Sequence, residues 1–487
     1  MKYYHSTRNS SISVNGAQAV LQGIAPDGGL YVPENFEKLD LKELFSLDAY
    51  GLFARVLCAL LGGWTEQEMR ETVVKGYQGR FETEEVTPLV TAGETHILEL
   101  FRGPTSAFKD VALSLLPHFI TRAAREERVT DEIRILTATS GDTGKAALAG
   151  FADVPGTSIA VFYPHGGVSE IQRRQMVTQR GKKVRVCAVR GNFDDAQTGV
   201  KAIFANEGLK ARLKEKSVRL SSANSINLGR LAPQVAYYFK AYGDLLRRGV
   251  IRMGDAVNFA VPTGNFGDIL AGEYARQMGL PVGKLLCASN RNRVLADYLA
   301  TGVYDRRREF FHTASPSMDI LVSSNLERCL HLLSGGDCAL VADQMGQLQR
   351  QGYYRTPESV MKAFRRDFFG GYASDEDCFR AIDGLYRETN YLMDPHTAVA
   401  YAVSRAYRES TGDNRPMVVL ATASPYKFAP DVLRALRQED AQGFAALRRL
   451  QEKTGVPIPK NLSELEGLPE LHRDVIDVSQ MPEYVEK

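Results

Sequence analysis

Cysteine is scarce in this 487-residue sequence and poorly spaced for chemistry. Its six cysteines stand at 58, 187, 287, 329, 338 and 378, with no C-x-x-C pair. That spacing argues against a disulfide framework and against a thiolate zinc site, so a reducing cytoplasm is the expected setting. The eight histidines include no H-E-x-x-H, which excludes the usual helical metal motif. No metal is expected. Charge of one sign is also lacking: 60 Lys and Arg face 58 Asp and Glu, a net of +2. There is no basic field for nucleic acid and no acidic tail. Long apolar runs are absent too. "VLCALLGGW" at 56–64 is too short to span a bilayer, and "MKYYHSTRNSSISV" lacks the apolar core of a signal peptide. What remains is ordinary globular composition, 44% hydrophobic and 24% charged, enough for two or three domains.

The chain has no internal repeat and no low-complexity tract. Residues 1–95 mix short helical patterns with the turn "APDGGLYVP" at 25–33. From about residue 96 a rhythm begins. "IRILTAT" (133–139), "TSIAVFYP" (157–164), "KKVRVCAV" (182–189), "AVNFAVPT" (256–263) and "RPMVVLATAS" (415–424) read as buried strands. Each is followed by a helical pattern. Continuous apolar strands alternating with helices predict an α/β fold, parallel sheets covered by helices on both faces. Between about 304 and 390 the pattern turns mostly helical, as an insertion or lid would.

One lysine stands out. "FRGPTSAFKDVALSLLP" (101–117) places Lys109 at the start of an apolar helix. Taken alone, this is a solvated first-turn lysine beside Asp110. If buried, its pKa falls and its amine becomes a nucleophile. Two strand-to-helix loops elsewhere suit anions, because glycine lets the backbone turn and a helix start offers free N–H groups. The first is "TSGDTGKAAL" (139–148). A nucleotide P-loop would need Gly at 139 and Ser or Thr at 146, where this chain has Thr139 and Ala146. The second is "PTGNFGDIL" (262–270), which is not G-x-G-x-x-G and suits a single phosphate monoester better than a dinucleotide. Each loop alone reads as a turn. Together with Lys109 they fit pyridoxal phosphate: a lysine for an imine, one loop for the cofactor phosphate, another for a substrate carboxylate. Thr422, ending a strand in "LATASPYKF" (420–428), could face the pyridine nitrogen without protonating it, or simply satisfy backbone at the strand end.

These residues occur in stretches that resemble the threonine synthase family, in its longer form without a regulatory S-adenosylmethionine domain. The stretches are "AVLQGIAPDGGLYVPE" (19–34), "ELFRGPTSAFKDVAL" (99–113), "TSGDTG" (139–144), "SANSINLGRLAPQVAYYFKAY" (222–242), "PTGNFGDILAG" (262–272), "DPHTAVAY" (394–401) and "ATASPYKF" (421–428). The resemblance implies a fold-type II pyridoxal-phosphate enzyme that turns O-phospho-L-homoserine and water into L-threonine and phosphate. It implies an N-terminal domain over 1–95, a smaller domain over 96–225 and a larger one over 226–487. Lys109 matches the Schiff-base lysine. Gly264, Asn265, Phe266 and Gly267 match the cofactor-phosphate loop, and Thr422 the residue at the pyridine nitrogen. Ser140, Gly141, Asp142, Thr143 and Gly144 match the loop near the substrate carboxylate and the cofactor's ring oxygen. Asn224, Ser225, Asn227 and Arg230 match the group that binds the substrate phosphate, where neutral donors and one guanidinium suit a tetrahedral oxyanion.

Two positions depart from the family pattern: Ser424 where His is common, and Arg293 where Asp usually ends "NRND". The expected partner is the small-molecule substrate, with neither nucleic acid nor membrane, and the chain a monomer or weak homo-oligomer. A closed, dry site reached by domain closure is expected, because an intermediate released early would give 2-oxobutyrate and ammonia. A phospho-lyase or dehydratase making 2-oxobutyrate is the neighbouring reading, and a non-catalytic binding protein on the same fold the remoter one.

Overall fold

In the computed structural model every residue is described except Met1, Ser140 and Glu439 and the side chain of Asp194. Strands β1 (Tyr3–Ser6), β2 (Ser13–Asn15) and β3 (Tyr31–Pro33) form a small antiparallel sheet. The helices Ala49–Leu61 and Glu66–Tyr77 follow. Next come β4 (Leu89–Ala92) and β5 (Thr95–Glu99), an antiparallel pair. Then four strands alternate with helices: β6 (Glu132–Ala138), β7 (Thr157–Pro164), β8 (Val184–Arg190) and β9 (Val218–Ser222). Further on lie β10 (Val257–Pro262), β11 (Val282–Ser289), β12 (Val303–Asp305), β13 (Tyr353–Arg355), β14 (Phe368–Tyr372), β15 (Met417–Ala421) and β16 (Asp474–Asp477).

Two larger sheets carry the architecture. One has the order β14-β11-β10-β15-β5-β4, parallel except for edge strand β4. The other has the order β16-β8-β7-β6-β9 and is parallel throughout. Strands buried on both faces must be apolar along their whole length. β7 is buried at all eight positions and β10 at all six.

Pairing does not follow chain order. β4 and β5 precede the five-stranded sheet but belong to the six-stranded one. β16 follows the six-stranded sheet but pairs with β8. The mostly helical stretch 304–390 also supplies β14, the outer strand beside β11. The 20-residue helix Leu228–Arg247 is buried from Leu228 to Leu245. A helix buried on all sides draws its first turn, and Arg230 with it, into the interior.

Candidate active site

Parallel strands bring their carboxyl ends to one side, where loops and helix starts can hold a ligand. In the six-stranded sheet, neighbours β5, β15 and β10 lead into the loops that carry Lys109, Thr422 and Gly264–Gly267. In the five-stranded sheet, neighbours β6 and β9 lead into 139–144 and 223–227. The five candidate stretches therefore sit at the carboxyl ends of two sheets.

Lys109 opens the short helix Lys109–Leu113. Its loop is tied to the segment after β15. Ala107 bridges Ala423, the Phe108 N–H donates to the Thr422 carbonyl at 2.8 Å, and the Ser424 N–H donates to the Ser106 carbonyl at 3.1 Å. Lys109 and Thr422 are thus brought side by side. The Lys109 side chain is only 12% exposed, with its Nζ 3.9 Å from Asp142 Oδ2. Burial lowers its pKa from the ordinary lysine value to about 8. Asp142 opposes that shift, while Lys427 and Arg230 add to it. The amine is held largely away from water.

Asp142 begins the helix Asp142–Phe151 and joins the two sheets. Its Oδ1 lies 2.6 Å from Lys427 Nζ and accepts from Gln172 Nε2 at 3.0 Å. Burial pushes its carboxyl upward, but Lys427 and Lys109 overcome that and hold it well below the usual carboxylate range. Lys427 is fully buried and also donates to the Thr105 carbonyl at 3.1 Å. Within "ASPYKF" the sequence pattern assigns Lys427 no role. The signal was there: a cation in an otherwise apolar stretch demands a buried partner.

The turn before Asp142 is shaped by Thr139, whose Oγ1 accepts from the N–H groups of both Gly141 and Gly144 at 2.9 Å. Gly141 has φ +139°, and a Cβ there would fall 2.4 Å from the Gln172 side chain. Thr143 follows in the first turn, partly exposed. Ser140 lies outside the described residues.

On the other sheet, Phe266 adopts a left-handed conformation (φ +62°) to start the helix Gly267–Gln277. The Asn265 carbonyl accepts from the Asn325 N–H at 3.0 Å, and the Gly264 carbonyl from Ser323 Oγ at 2.8 Å. A Cβ on Gly264 would meet the Ser317 carbonyl at 2.8 Å, so the loop accepts only glycine there without a shift. Behind it, buried His396 accepts the Ser317 N–H at 3.1 Å, with its Nδ1 2.7 Å from Asp394. The stretch "DPHTAVAY" carries no local signal of this support.

Asn325 ties the 223–227 loop to the Gly264–Gly267 loop, its N–H donating to the Asn265 carbonyl and its Nδ2 to Ser225 Oγ at 3.4 Å. Asn224 is partly exposed. Asn227 is fully buried and occupied: its Oδ1 accepts from the Gly229 N–H at 2.8 Å and its Nδ2 donates to the Val20 carbonyl at 2.9 Å. It caps the long helix. Arg230 is buried, with Nη1 donating to the Ala223 carbonyl at 2.5 Å and Nε without a partner among the described residues. Burial lowers its pKa to about 10. A spare buried guanidinium donor calls for an acceptor. Of the two departures, Ser424 is buried and caps the next turn through Tyr426 N–H. Arg293 lies over the Tyr372 ring, 4.5 Å from its centroid, and pairs with Asp297 at 3.5 Å.

Two α/β sheets that meet at their carboxyl ends over a buried lysine, with glycine-cornered helix starts alongside, define the fold-type II class of pyridoxal-phosphate proteins. Known proteins narrow this. The family model "Threonine synthase N terminus" matches residues 3–77, and "Threonine synthase, C-terminal" matches 397–485. Threonine synthase of Pseudomonas aeruginosa is 40% identical over 439 residues, 89% of this chain and 90% of that one. Threonine synthase-like 1 of Macaca fascicularis is 37% identical over 96% of this chain, which spans 63% of that longer protein. Among solved structures, a PLP bound threonine synthase from Brucella melitensis superposes with a TM-score of 0.87 at 35% identity, covering 100% of this chain and 99% of that one. Yeast threonine synthase gives 0.87 at 33% identity, covering 100% and 98%. The chain belongs to the threonine synthase family.

Proposed function

We propose that this chain is a pyridoxal-phosphate-dependent threonine synthase that converts O-phospho-L-homoserine and water to L-threonine and phosphate. The observation that carries this reading is the pairing of a buried, low-pKa Lys109 with a buried Arg230 that has a donor to spare. The first suits proton transfer at carbon and the second a phosphate leaving group.

The residues fit the cofactor. Lys109 is the attachment point. Gly264, Asn265, Phe266 and Gly267 offer a helix start whose Cβ-free corner leaves the N–H groups open to a phosphate. Thr422, fixed beside Lys109, offers a neutral hydroxyl to a ring nitrogen. When bound, pyridoxal 5'-phosphate supplies the electron sink for charge that builds at the substrate's α-carbon.

The chain's own residues do the rest. Lys109, with a pKa of about 8, has a usable neutral fraction near physiological pH, takes the proton from Cα and returns protons along the chain. Asp142 stays ionised and, with Lys427, fixes where the Lys109 amine points. Gly141, Asp142, Thr143 and Gly144 line the helix start that receives the substrate carboxylate, and Ser140 belongs to the same loop. Arg230, Asn224 and Ser225 hold the phosphate as it leaves Cγ. Asn227 orients Arg230 by capping its helix. A closed site keeps bulk water from intercepting the reaction early, which would release 2-oxobutyrate and ammonia. We place the protein in the cytoplasm, in keeping with six cysteines that are all free thiols.

Product analysis tests this reading. The cofactor-loaded protein is incubated with O-phospho-L-homoserine, and phosphate, threonine and 2-oxobutyrate are measured together. Equal phosphate and threonine is the expected result. Phosphate with 2-oxobutyrate would make the protein a lyase, and no phosphate would overturn the substrate.

A further inference from the structure

Three side chains of the types that ligate metals meet outside the residues used above. His5 lies on β1, His331 in the last turn of the helix Leu326–Leu333, and Cys338 opens the helix Cys338–Gln351. Between the last two, Gly335 (φ +76°) and Gly336 (φ +86°) turn the chain so that Cys338 comes back onto His331. The Nε2 atoms of His5 and His331 are 3.3 Å apart, and Cys338 Sγ is 3.6 Å from His331 Nε2. All three ligand atoms lie within 4.8 Å of one another.

Those spacings have a specific meaning. Tetrahedral zinc, with Zn–N of about 2.0–2.1 Å and Zn–S of about 2.3 Å, sets two nitrogens about 3.3 Å apart and a nitrogen and sulfur about 3.6 Å apart. Two of the three edges are already at those values. The third closes by rotation of His5 or Cys338, which are only half-buried. Each imidazole brings its Nε2 to the cluster, an atom that carries a lone pair in one tautomer of the neutral ring. Asp337, beside Cys338, is committed to capping, accepting the Leu340 N–H at 2.9 Å.

We propose that His5, His331 and Cys338 bind Zn(II), clipping the N-terminal strand to the inserted helix pair. On binding, the Cys338 S–H proton passes to solvent as the zinc–sulfur bond forms, and no electrons change hands. The clip adds to the neighbouring Arg8–Glu327 pair at 2.8 Å, which ties the same seam. Its ligands come from segments far apart in sequence, so spacing along the chain could not reveal it.

Chelator-treated full-length protein is titrated with Zn(II) against a chromogenic chelator, and with Co(II) by absorption. Expected are one tight equivalent, release of a proton on binding and a thiolate-to-cobalt charge-transfer band. Cys338→Ser should abolish the band, and His5→Ala, at a half-buried site, should weaken zinc by more than the roughly 10–100-fold that outer-shell changes cost. Circular dichroism of each variant checks that it is folded. Wild-type protein that takes up no stoichiometric zinc, or a band that survives in Cys338→Ser, would overturn the site.

Discussion

The two sheets hold their ends of the site by different means. On the six-stranded sheet backbone bonds join the loops to their neighbours, Phe108 to Thr422, Ser424 to Ser106 and Asn325 to Asn265, with Asp110 bracing Thr105 and Ser323 the Gly264 carbonyl. On the five-stranded sheet, single side chains do the holding: Thr139 for two glycine N–H groups, Gln172 for Asp142, Asn227 for its helix start. Backbone-held loops keep their shape when a side chain changes, so their side chains are free to meet a ligand. Side-chain-held loops lose shape and chemistry together. Asp142 links the two halves through Lys427 and Lys109.

The comparison can be broken at its centre first. Lys109→Ala should still fold and bind cofactor, yet turn over at least about 10⁴-fold more slowly, the upper end of what a positioned proton-transfer group provides. Steady-state phosphate release measures this, and a borohydride-reducible adduct at another lysine would move the chemistry elsewhere. Asp142→Asn removes the carboxylate that contacts the fully buried Lys427 at 2.6 Å. A loss of about 3–5 kcal/mol in urea denaturation is expected, with recovery in the double variant Asp142→Asn, Lys427→Met. Arg230→Ala should raise the KM for phosphohomoserine by about 10–100-fold, the worth of a charge-assisted hydrogen bond, while cofactor affinity measured by absorption stays the same. Equal losses of both would remove it from the substrate.

Two smaller effects sharpen the contrast. Thr139→Val orphans two N–H groups and should cost about 1–3 kcal/mol, whereas Thr422→Val, on a backbone-held loop, should stay within about 0.5 kcal/mol yet alter the cofactor's absorption. Matched denaturation curves and spectra decide it. In the cofactor-free protein, Lys109 has a folded pKa of about 8 against an ordinary lysine value of 10.5 unfolded. Below pH 8 both states carry the proton and the folded state bears the full cost of burying it. Between pH 8 and 10.5 the unfolded state binds more protons, so stability rises with pH. Lys109→Met should therefore be more stable than wild type at pH 7 by about 1–3 kcal/mol, with the gap closing towards pH 10.

The parts of this design legible in sequence are those with local signals. The strand expected at 157–164 is β7, residue for residue, because full burial forces a continuous apolar run. The two glycine loops announced themselves by their turns. What stayed hidden depended on distant partners. β16, four residues with no buried position, carries no strand signal and exists by pairing with β8. Lys427 is intelligible only beside Asp142. Asn227, expected on the substrate phosphate, has its side chain occupied by Gly229 and Val20, and an N-cap and a ligand-binding amide look the same in one dimension.

The pairing of β16 with β8 also has a temporal side. Cys187 and Asp474, partners in register, are 287 residues apart. At roughly 5–20 residues per second, a ribosome that has finished β8 takes about 15–60 s more to deliver the strand that covers its outer edge. Through that interval the nascent sheet shows a bare row of amides and carbonyls to every neighbouring chain. The yield of native protein in the cell is then a race between elongation and edge-to-edge association, and slower translation through the 304–390 insertion lengthens the odds.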